Sequence, residues 1–435
     1  MKSYAETLDF LYAQLPVFER TGASAYKPGL ERMNEMDRYF GHPHRCYPTI
    51  HVAGTNGKGS TSHTLASILQ AAGYRVGLFT SPHLLDFDER IRINGTPIRH
   101  DYVVQWVECH YENICHLRPS FFELATMMAF SYFASEHIDI AVIEVGMGGA
   151  LDSTNIITPR LSIITNIGLD HTQFLGDTLP QIASEKAGIM KRGVKCIIGQ
   201  LGDDPGVRQT FEKRASELPC SILFAEESPE ILSTEDKKGL YRYTTKHYGI
   251  IDSELTGLCQ PLNANTILHA VRELESTLEI SLDHVRKGMA QVTTTTGLTG
   301  RWQHLSSSPE IICDTGHNVD CFKYIAPRLH QIVLQGRTLH MVFGMVSDKD
   351  VAAVVDLLPT EATYHLAAAS TPRSLPATEM QELLQRRDIQ NIHLYNSVGE
   401  AVEGATIASR NGKNDFIFIG GSNFVVAEAL QKLKE

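Results

Sequence analysis

The stretch His51-Val52-Ala53-Gly54-Thr55-Asn56-Gly57-Lys58-Gly59-Ser60-Thr61 lies between a strand-like run, Pro48 to Val52, and an amphipathic run, Thr61 to Ala72. Strand, glycine-rich turn and helix in that order limit the fold more than any other feature. Glycines let the backbone turn tightly and aim its N–H groups inward, and a helix N-terminus adds partial positive charge. Lys58 supplies a full charge, and Ser60 or Thr61 a hydroxyl. These are the ingredients of a phosphate cradle. The spelling is irregular, with Gly54 three residues before Gly57 and Gly59 after the lysine. A Gly/Lys turn can be an ordinary loop, and the strand before it and helix after it favour nucleotide.

A chain of 435 residues exceeds one ordinary core, so two domains are expected. The longest apolar runs, such as Ala141 to Ile143 and Phe416 to Ile419, are too short to span a bilayer. The N-terminal residues carry no apolar signal region, and the eight cysteines form no CxxC pair. Together these point to a cytoplasmic protein with neither a zinc site nor a disulfide framework. A net charge of −11 argues against non-specific nucleic-acid binding, yet leaves room for a locally basic pocket.

Ser3 with Glu6 reads as a capping box, and Leu8, Leu11, Tyr12 and Leu15 as a helical stripe ending near Pro16. A second helix is predicted from about Pro28 to Phe40. After the phosphate loop and its helix come a strand over Arg75 to Thr80 and a hairpin turning at Asn94-Gly95. Helices follow over His100 to His116 and Ser120 to His137. Ile138 to Val145 reads as a buried parallel strand ending in a second glycine loop, Gly146-Met147-Gly148-Gly149. Leu161 to Thr165 is a further strand, and Leu179 to Lys191 a helix. Thr293 to Gly300, poor in core formers, is predicted to be the linker. The expected fold class is therefore α/β: a P-loop NTPase-like domain with a mostly parallel sheet over 1–296, and a smaller Rossmann-like α/β domain over 297–435. Ligands of such sheets bind beyond the carboxyl ends of strands. Ser81, Glu144, Asp170-His171 and Asp314 are placed to converge there.

Taken in order, His51 to Thr61, Ser81 to Leu84, Phe121-Phe122-Glu123, Glu144 to Asn155, Leu169 to His171, Glu185 to Ile189, Gly300-Arg301, Asp314 to Asn318, Gly344 to Asp350 and Gly420-Gly421-Ser422 resemble the folylpolyglutamate synthase and dihydrofolate synthase family, within the Mur-ligase superfamily. The resemblance covers nearly the whole chain. It implies an ATP-dependent ligase of folate biosynthesis and one-carbon metabolism that adds L-glutamate to dihydropteroate, to reduced folate, or to both. A carboxylate is a poor electrophile, so phosphorylation first makes an acyl phosphate, which the glutamate amine attacks. Catalysis of such a transfer is mostly positioning and charge neutralisation.

The resemblance assigns Gly54, Thr55, Asn56, Gly57, Lys58, Gly59 and Ser60 to the ATP phosphates, with Lys58 on the β/γ-phosphates. Ser81, Glu144 and His171 match magnesium ligands, few as expected for an ion that keeps its waters. Lys186 matches a lysine that carbon dioxide carbamylates, turning a cation into an anionic metal ligand; read alone, a lysine in Glu-Lys-Ala-Gly is a solvated one. Asn263, Arg301 and Asp314 are implied for adenine, phosphate and ribose, putting ATP at the domain interface, and His317 for the transferring phosphoryl group or a helix cap. Phe122, Glu123 and Asp152 match pterin contacts, although Phe122 is equally a core residue and Glu123 equally the capping partner of Ser120. Ala150, Cys259 and Val319 depart from the family's usual Arg, His and Pro.

A Mur-type peptidoglycan ligase shares this chemistry but typically carries a uridine-nucleotide domain first, and only about fifty residues precede Gly54. A P-loop switch ATPase would turn over nucleotide without a small acceptor. Neither nucleic acid nor membrane is an expected partner, and a monomer is the default state.

Overall fold

The computed structural model describes residues 3–15, 29–237, 239–409 and 414–434. Pro16 and Pro28, expected to bound the first two helices, lie outside them. The chain forms two compact units, one running to Glu254 and resuming over Gln260–Leu298, the other made of Leu255–Cys259 and the chain from Thr299.

In the first unit, helices α1 (Tyr4–Gln14) and α2 (Glu31–Tyr39) precede β1 (Thr49–Ala53), α3 (Lys58–Ala71), β2 (Val76–Phe79), β3 (Ile91–Ile93) and β4 (Thr96–Pro97). Next come α4 (His100–Cys109), α5 (Tyr111–Leu117), α6 (Phe121–Ser135), β5 (Ile140–Glu144), β6 (Leu161–Asn166), α7 (Thr172–Leu175), α8 (Leu179–Ala187), β7 (Lys195–Gln200), α9 (Pro205–Glu217) and β8 (Ile222–Phe224). The strands order as β4-β3-β2-β5-β1-β6-β7-β8, parallel from β2 through β8, with β3 and β4 antiparallel at one edge. A three-stranded antiparallel sheet, β9 (Ile231–Asp236), β10 (Tyr241–Thr245) and β11 (Ile250–Ser253), follows. Helices α10 (Gln260–Leu274), α11 (Leu282–Ala290) and α12 (Val292–Thr296) complete the unit.

β1 is central and buried along its whole length, as a strand covered on both faces must be. One face packs Ile50 and Val52 with Leu65 and Ile68 of α3, Ile267 and Val271 of α10 and Met289 of α11. Phe79 and Ile143 belong to a second core with Leu124, Met128 and Phe130 of α6. The loops after β1, β2, β5 and β6 thus share one edge of the parallel sheet.

The structure differs from expectation at three places. Ser3 accepts from Glu6 N, giving half of the expected capping box. The helix expected over His100 to His116 breaks at His110 into α4 and α5. The boundary between the units, after Leu298, falls inside the expected Thr293–Gly300 linker, but the threonine run that opens it is α12, held inside the first unit. Thr293 Oγ1 donates to Glu254 at 2.9 Å, Thr296 Oγ1 meets His63 Nδ1 at 2.7 Å, and Gly297 ends the helix at φ 71°. Hydroxyls with distant partners make a run that reads as hinge into a packed turn.

The second unit carries β12 (Gln303–Ser307), β13 (Glu310–Asp314), α13 (Val319–Leu334), β14 (Thr338–Phe343), α14 (Val351–Val355), β15 (Thr363–Leu366), α15 (Ala377–Gln385), β16 (Ile392–Leu394), α16 (Val398–Ser409), β17 (Asp415–Gly420) and α17 (Asn423–Lys434). Its sheet orders as β12-β13-β17-β14-β15-β16, parallel except for β12. None of the described helices is long and apolar enough to cross a membrane.

Candidate active site

The first glycine loop joins β1 to α3 and is built to stay open. Gly57 is the N-cap of α3 at φ 83°, and among the described residues no side chain caps the helix. The first-turn N–H groups have no intrahelical acceptor. A Cβ on Gly57 would lie 2.4 Å from Asn263 Oδ1, and one on Gly54 1.8 Å from Thr165 Oγ1, so both positions admit only glycine. The loop is held from below by the end of β6. Thr55 N donates to Asn166 O at 3.1 Å, Asn56 N to Asn166 Oδ1 at 2.8 Å, and Thr165 Oγ1 to Asn56 O at 2.6 Å. Lys58 Nζ donates to Gly54 O and Thr55 O, each at 3.1 Å, and so rests over the loop it serves. Ser60 Oγ accepts from Gln260 Nε2 at 3.2 Å, and Asn263 Nδ2 donates to Gln260 Oε1 at 3.1 Å. Thr61 Oγ1 is buried with no partner among the described residues.

At the ends of β2 and β5, Ser81 N approaches the buried Glu144 carboxylate at 3.4 Å. His171 follows β6 at φ 51°, its N–H bonded to Asp170 Oδ1 at 2.8 Å and its carbonyl accepting from Phe174 and Leu175. Lys186 departs from what its local sequence suggests. It is 3% exposed, and among the described residues no carboxylate pairs with its ammonium. Burial first, then the charge of Lys58, pull its pKa down to about 7 against the opposing pull of Asp170, Glu185 and Asp152.

The second glycine loop is already filled. Asp152 Oδ2 accepts from Gly146 N and Met147 N, both at 3.0 Å. Its Oδ1 accepts from Thr154 N at 3.0 Å and from Thr154 Oγ1. Burial raises this carboxyl's pKa, and those hydrogen bonds hold the rise back. Glu123 is likewise engaged: it accepts from Ser120 N at 2.6 Å, completing the capping box, and pairs with Arg32 at 2.9 Å. The half-buried Phe122 ring lies where a Cβ on Gly146 would be, 2.5 Å away, with Phe79 5.7 Å off.

The family model of the Mur ligase middle domain matches residues 52–266, and that of the Mur ligase glutamate ligase domain residues 300–423. The dihydrofolate synthase/folylpolyglutamate synthase of Bacillus subtilis is 32% identical over 424 residues, covering 94% of this chain and 95% of that protein. The chain belongs to the folylpolyglutamate synthase and dihydrofolate synthase family of Mur ligases. Among solved structures, E. coli FolC in complex with DHPP and ADP superposes with a TM-score of 0.84 at 30% identity, covering 100% of this chain and 98% of that one. A bifunctional folylpolyglutamate synthase/dihydrofolate synthase with Mn, AMPPNP and L-glutamate bound gives 0.82 at 27% identity, covering 100% and 99%.

Within this family framework the second unit presents its own cluster. Asp314 ends β13 and accepts from Trp302 N and Gly316 N, each at 2.8 Å; burial raises its pKa, with Arg301 opposing. Arg301 donates to Gly300 O at 3.1 Å and to Thr315 Oγ1. His317 Nδ1 meets Thr315 O at 3.0 Å, and the cap of α13 comes from Asn318, which accepts from Cys321 N. The structure thus brings Lys58, Ser81, Glu144, Asp152, His171, Lys186 and Asn263 to one sheet edge of the first unit, and Arg301, Asp314 and His317 together in the second. Sequence reasoning gave no role to Asn166, Arg32, His51 or Thr154. The available signal was weak: polar residues inside or closing otherwise apolar strands, as at His51 and Asn166.

Proposed function

We propose that this family member joins the amino group of L-glutamate to the carboxylate of dihydropteroate and of reduced folate at the expense of ATP, as a bifunctional enzyme of folate biosynthesis. The observation that carries it is the first turn of α3, which no side chain among the described residues caps, with Lys58 over it and Lys186 buried nearby and, among the described residues, without an ion pair. Backbone N–H groups at Gly57 to Ser60 and the Lys58 ammonium suit the triphosphate. Asn263, Arg301 and Asp314 take the nucleotide roles that the family implies, and His317 the transferring phosphoryl group.

The donor set fits a divalent metal: a buried strand-end carboxylate, Glu144, beside Ser81, with His171 at the next strand end. When bound, magnesium supplies neutralisation of phosphate charge. Lys186 suits carbamylation because only a neutral amine attacks carbon dioxide, and burial favours that form. The amine nitrogen adds to the carbon of carbon dioxide and gives up a proton to solvent, leaving an anionic oxygen ligand in place of the neutral amine.

In the reaction, an acceptor carboxylate oxygen attacks the γ-phosphorus and ADP leaves. The glutamate amine then adds to the acyl carbon of the acyl phosphate, loses a proton, and inorganic phosphate departs from the tetrahedral intermediate. Lys58 and the α3 N–H groups hold the phosphates in line and offset their charge. Phe122 offers a face for pterin stacking; the edge contacts that the family implies for Glu123 and Asp152 require these carboxylates to exchange bonds they now make, Glu123 with Ser120 N and Arg32, Asp152 with Gly146 N, Met147 N and Thr154. The enzyme works as a cytoplasmic monomer. Radiolabelled glutamate incorporation with each acceptor separately tests this: label enters with both, and stimulation by neither pterin would sink the proposal.

A further inference from the structure

His51 lies on β1, its neighbours being Ile143 on β5 and Ser162 on β6. It is fully buried, and its Nε2 meets the equally buried Thr154 Oγ1 at 2.8 Å. The directions of these bonds follow from counting donors. Asp152 receives backbone N–H groups from Gly146, Met147 and Thr154, so its carboxylate acts as the acceptor. The Thr154 hydroxyl therefore spends its only hydrogen on Asp152 Oδ1 and must accept from His51. His51 is then the neutral Nε2–H tautomer, and its Nδ1 faces no partner among the described residues.

The loop that this chain of bonds holds runs on to the candidate catalytic lysine. Ala150 N donates to Glu185 O at 2.8 Å, and Asn155 Nδ2 bridges Ala150 O at 3.0 Å and Gly188 O at 3.1 Å. A Cβ on Gly149 would lie 2.7 Å from Glu185 O and 3.0 Å from Lys186 Cα. A Cβ on Gly188 would lie 2.2 Å from Ala150 Cα. The loop and the end of α8 interlock at backbone contact. Gly146, whose N–H Asp152 holds, is two residues beyond Glu144.

We propose that His51 and Thr154 are positioning residues of the ligase, acting through Asp152 to hold the Gly146–Gly149 loop and so fix Glu144 relative to Lys186. This rests on the proposed roles of Glu144 and Lys186 in binding metal. Neither His51 nor Thr154 touches a reacting atom in this account. Their buried, donor-saturated bonds matter because a loop rich in glycine has little stiffness of its own.

Thr154→Val keeps the side-chain shape and deletes the hydroxyl; Thr154→Ser keeps the hydroxyl. In folded protein, Thr154→Val should lower kcat about 10-fold and raise the magnesium concentration for half-maximal activity, as outer-shell changes around metal ligands do, leaving the ATP KM unchanged. Thr154→Ser should restore both values. Wild-type kcat and metal dependence in folded Thr154→Val would overturn the proposal. A loss confined to the acceptor KM would also overturn it, leaving Asp152 with a substrate role alone. Should Thr154→Val not fold, amide hydrogen exchange of the unliganded wild-type chain decides. Slow exchange at Gly146 and Met147 is expected, and fast exchange at both overturns the idea. That measurement needs no turnover, so failure of the ligase assignment would be seen separately, in glutamate incorporation.

Discussion

At Gly57 the chain enters a helix whose first turn no side chain among the described residues caps, whereas at Gly146 and Met147 the backbone donors are already taken by Asp152. Both are glycine-rich turns closing strands of the same parallel sheet, and both lie at its carboxyl edge. The first, its Thr55 and Asn56 N–H groups tied to Asn166, leaves those of Gly57 to Ser60 for an outside anion and keeps a lysine over them. The second is satisfied by the protein's own carboxylate and serves as a rigid platform against α8. Glycine content marks a close approach of backbone to something; the neighbouring carboxylate, or its lack, says whether that something is a ligand.

The sharpest way to break the comparison is Lys58→Ala. If the first loop is the phosphate site, kcat/KM for ATP should fall about 1,000-fold, the scale of losing a well-placed transition-state donor, with an unchanged melting temperature. Comparable activity in a steady-state assay would remove the loop from the chemistry. Next in size is Lys186→Ala, which should lose ligation and regain part of it with short carboxylates at high magnesium. Wild-type-like activity without rescue would rule out the carbamate.

Asp152→Asn probes the second loop. An amide has one acceptor oxygen, so its NH2 group must face one of the two sets of N–H donors. A loss of about 1–3 kcal/mol is expected for such an unsatisfied pair, read as a lower denaturation midpoint. The smallest effect near neutral pH concerns His51. Burial, aided by the nearby Lys191 charge, lowers its pKa to about 3. Between about pH 6.5 and 3 the unfolded chain takes up a proton that the folded chain refuses. His51 therefore makes stability fall as pH drops through that window, with no further contribution below it. His51→Gln should flatten this part of a pH series of denaturation midpoints.

How much of this was legible in the sequence depends on the range of the interaction. The strand, loop and helix around Lys58 were readable because their signals are local: apolar runs, glycines and a lysine in the right order. So was the Ser120–Glu123 capping box, a contact between residues three apart. The order of family-like motifs made the ligase fold and its two mostly parallel sheets readable. What escaped was decided by distant partners. Nothing near Asp152 announces that it will cap Gly146, and nothing in Glu-Lys-Ala-Gly announces that α8 will bury Lys186 against a second loop. The threonine run of α12 read as hinge because Glu254 and His63, which hold it, are 39 and 233 residues away. That Glu123, legible as the capping partner of Ser120, also pairs with Arg32 was not legible because Arg32 lies 91 residues off.

The central claim is that the open loop presents a γ-phosphate to an acceptor carboxylate, and oxygen-18 tests it most directly. With both oxygens of the pterin acceptor's reacting carboxylate labelled, turnover with ATP and glutamate should release inorganic phosphate carrying one labelled oxygen. Phosphate without label would mean that water, not the acceptor, takes the γ-phosphate, and would contradict the account.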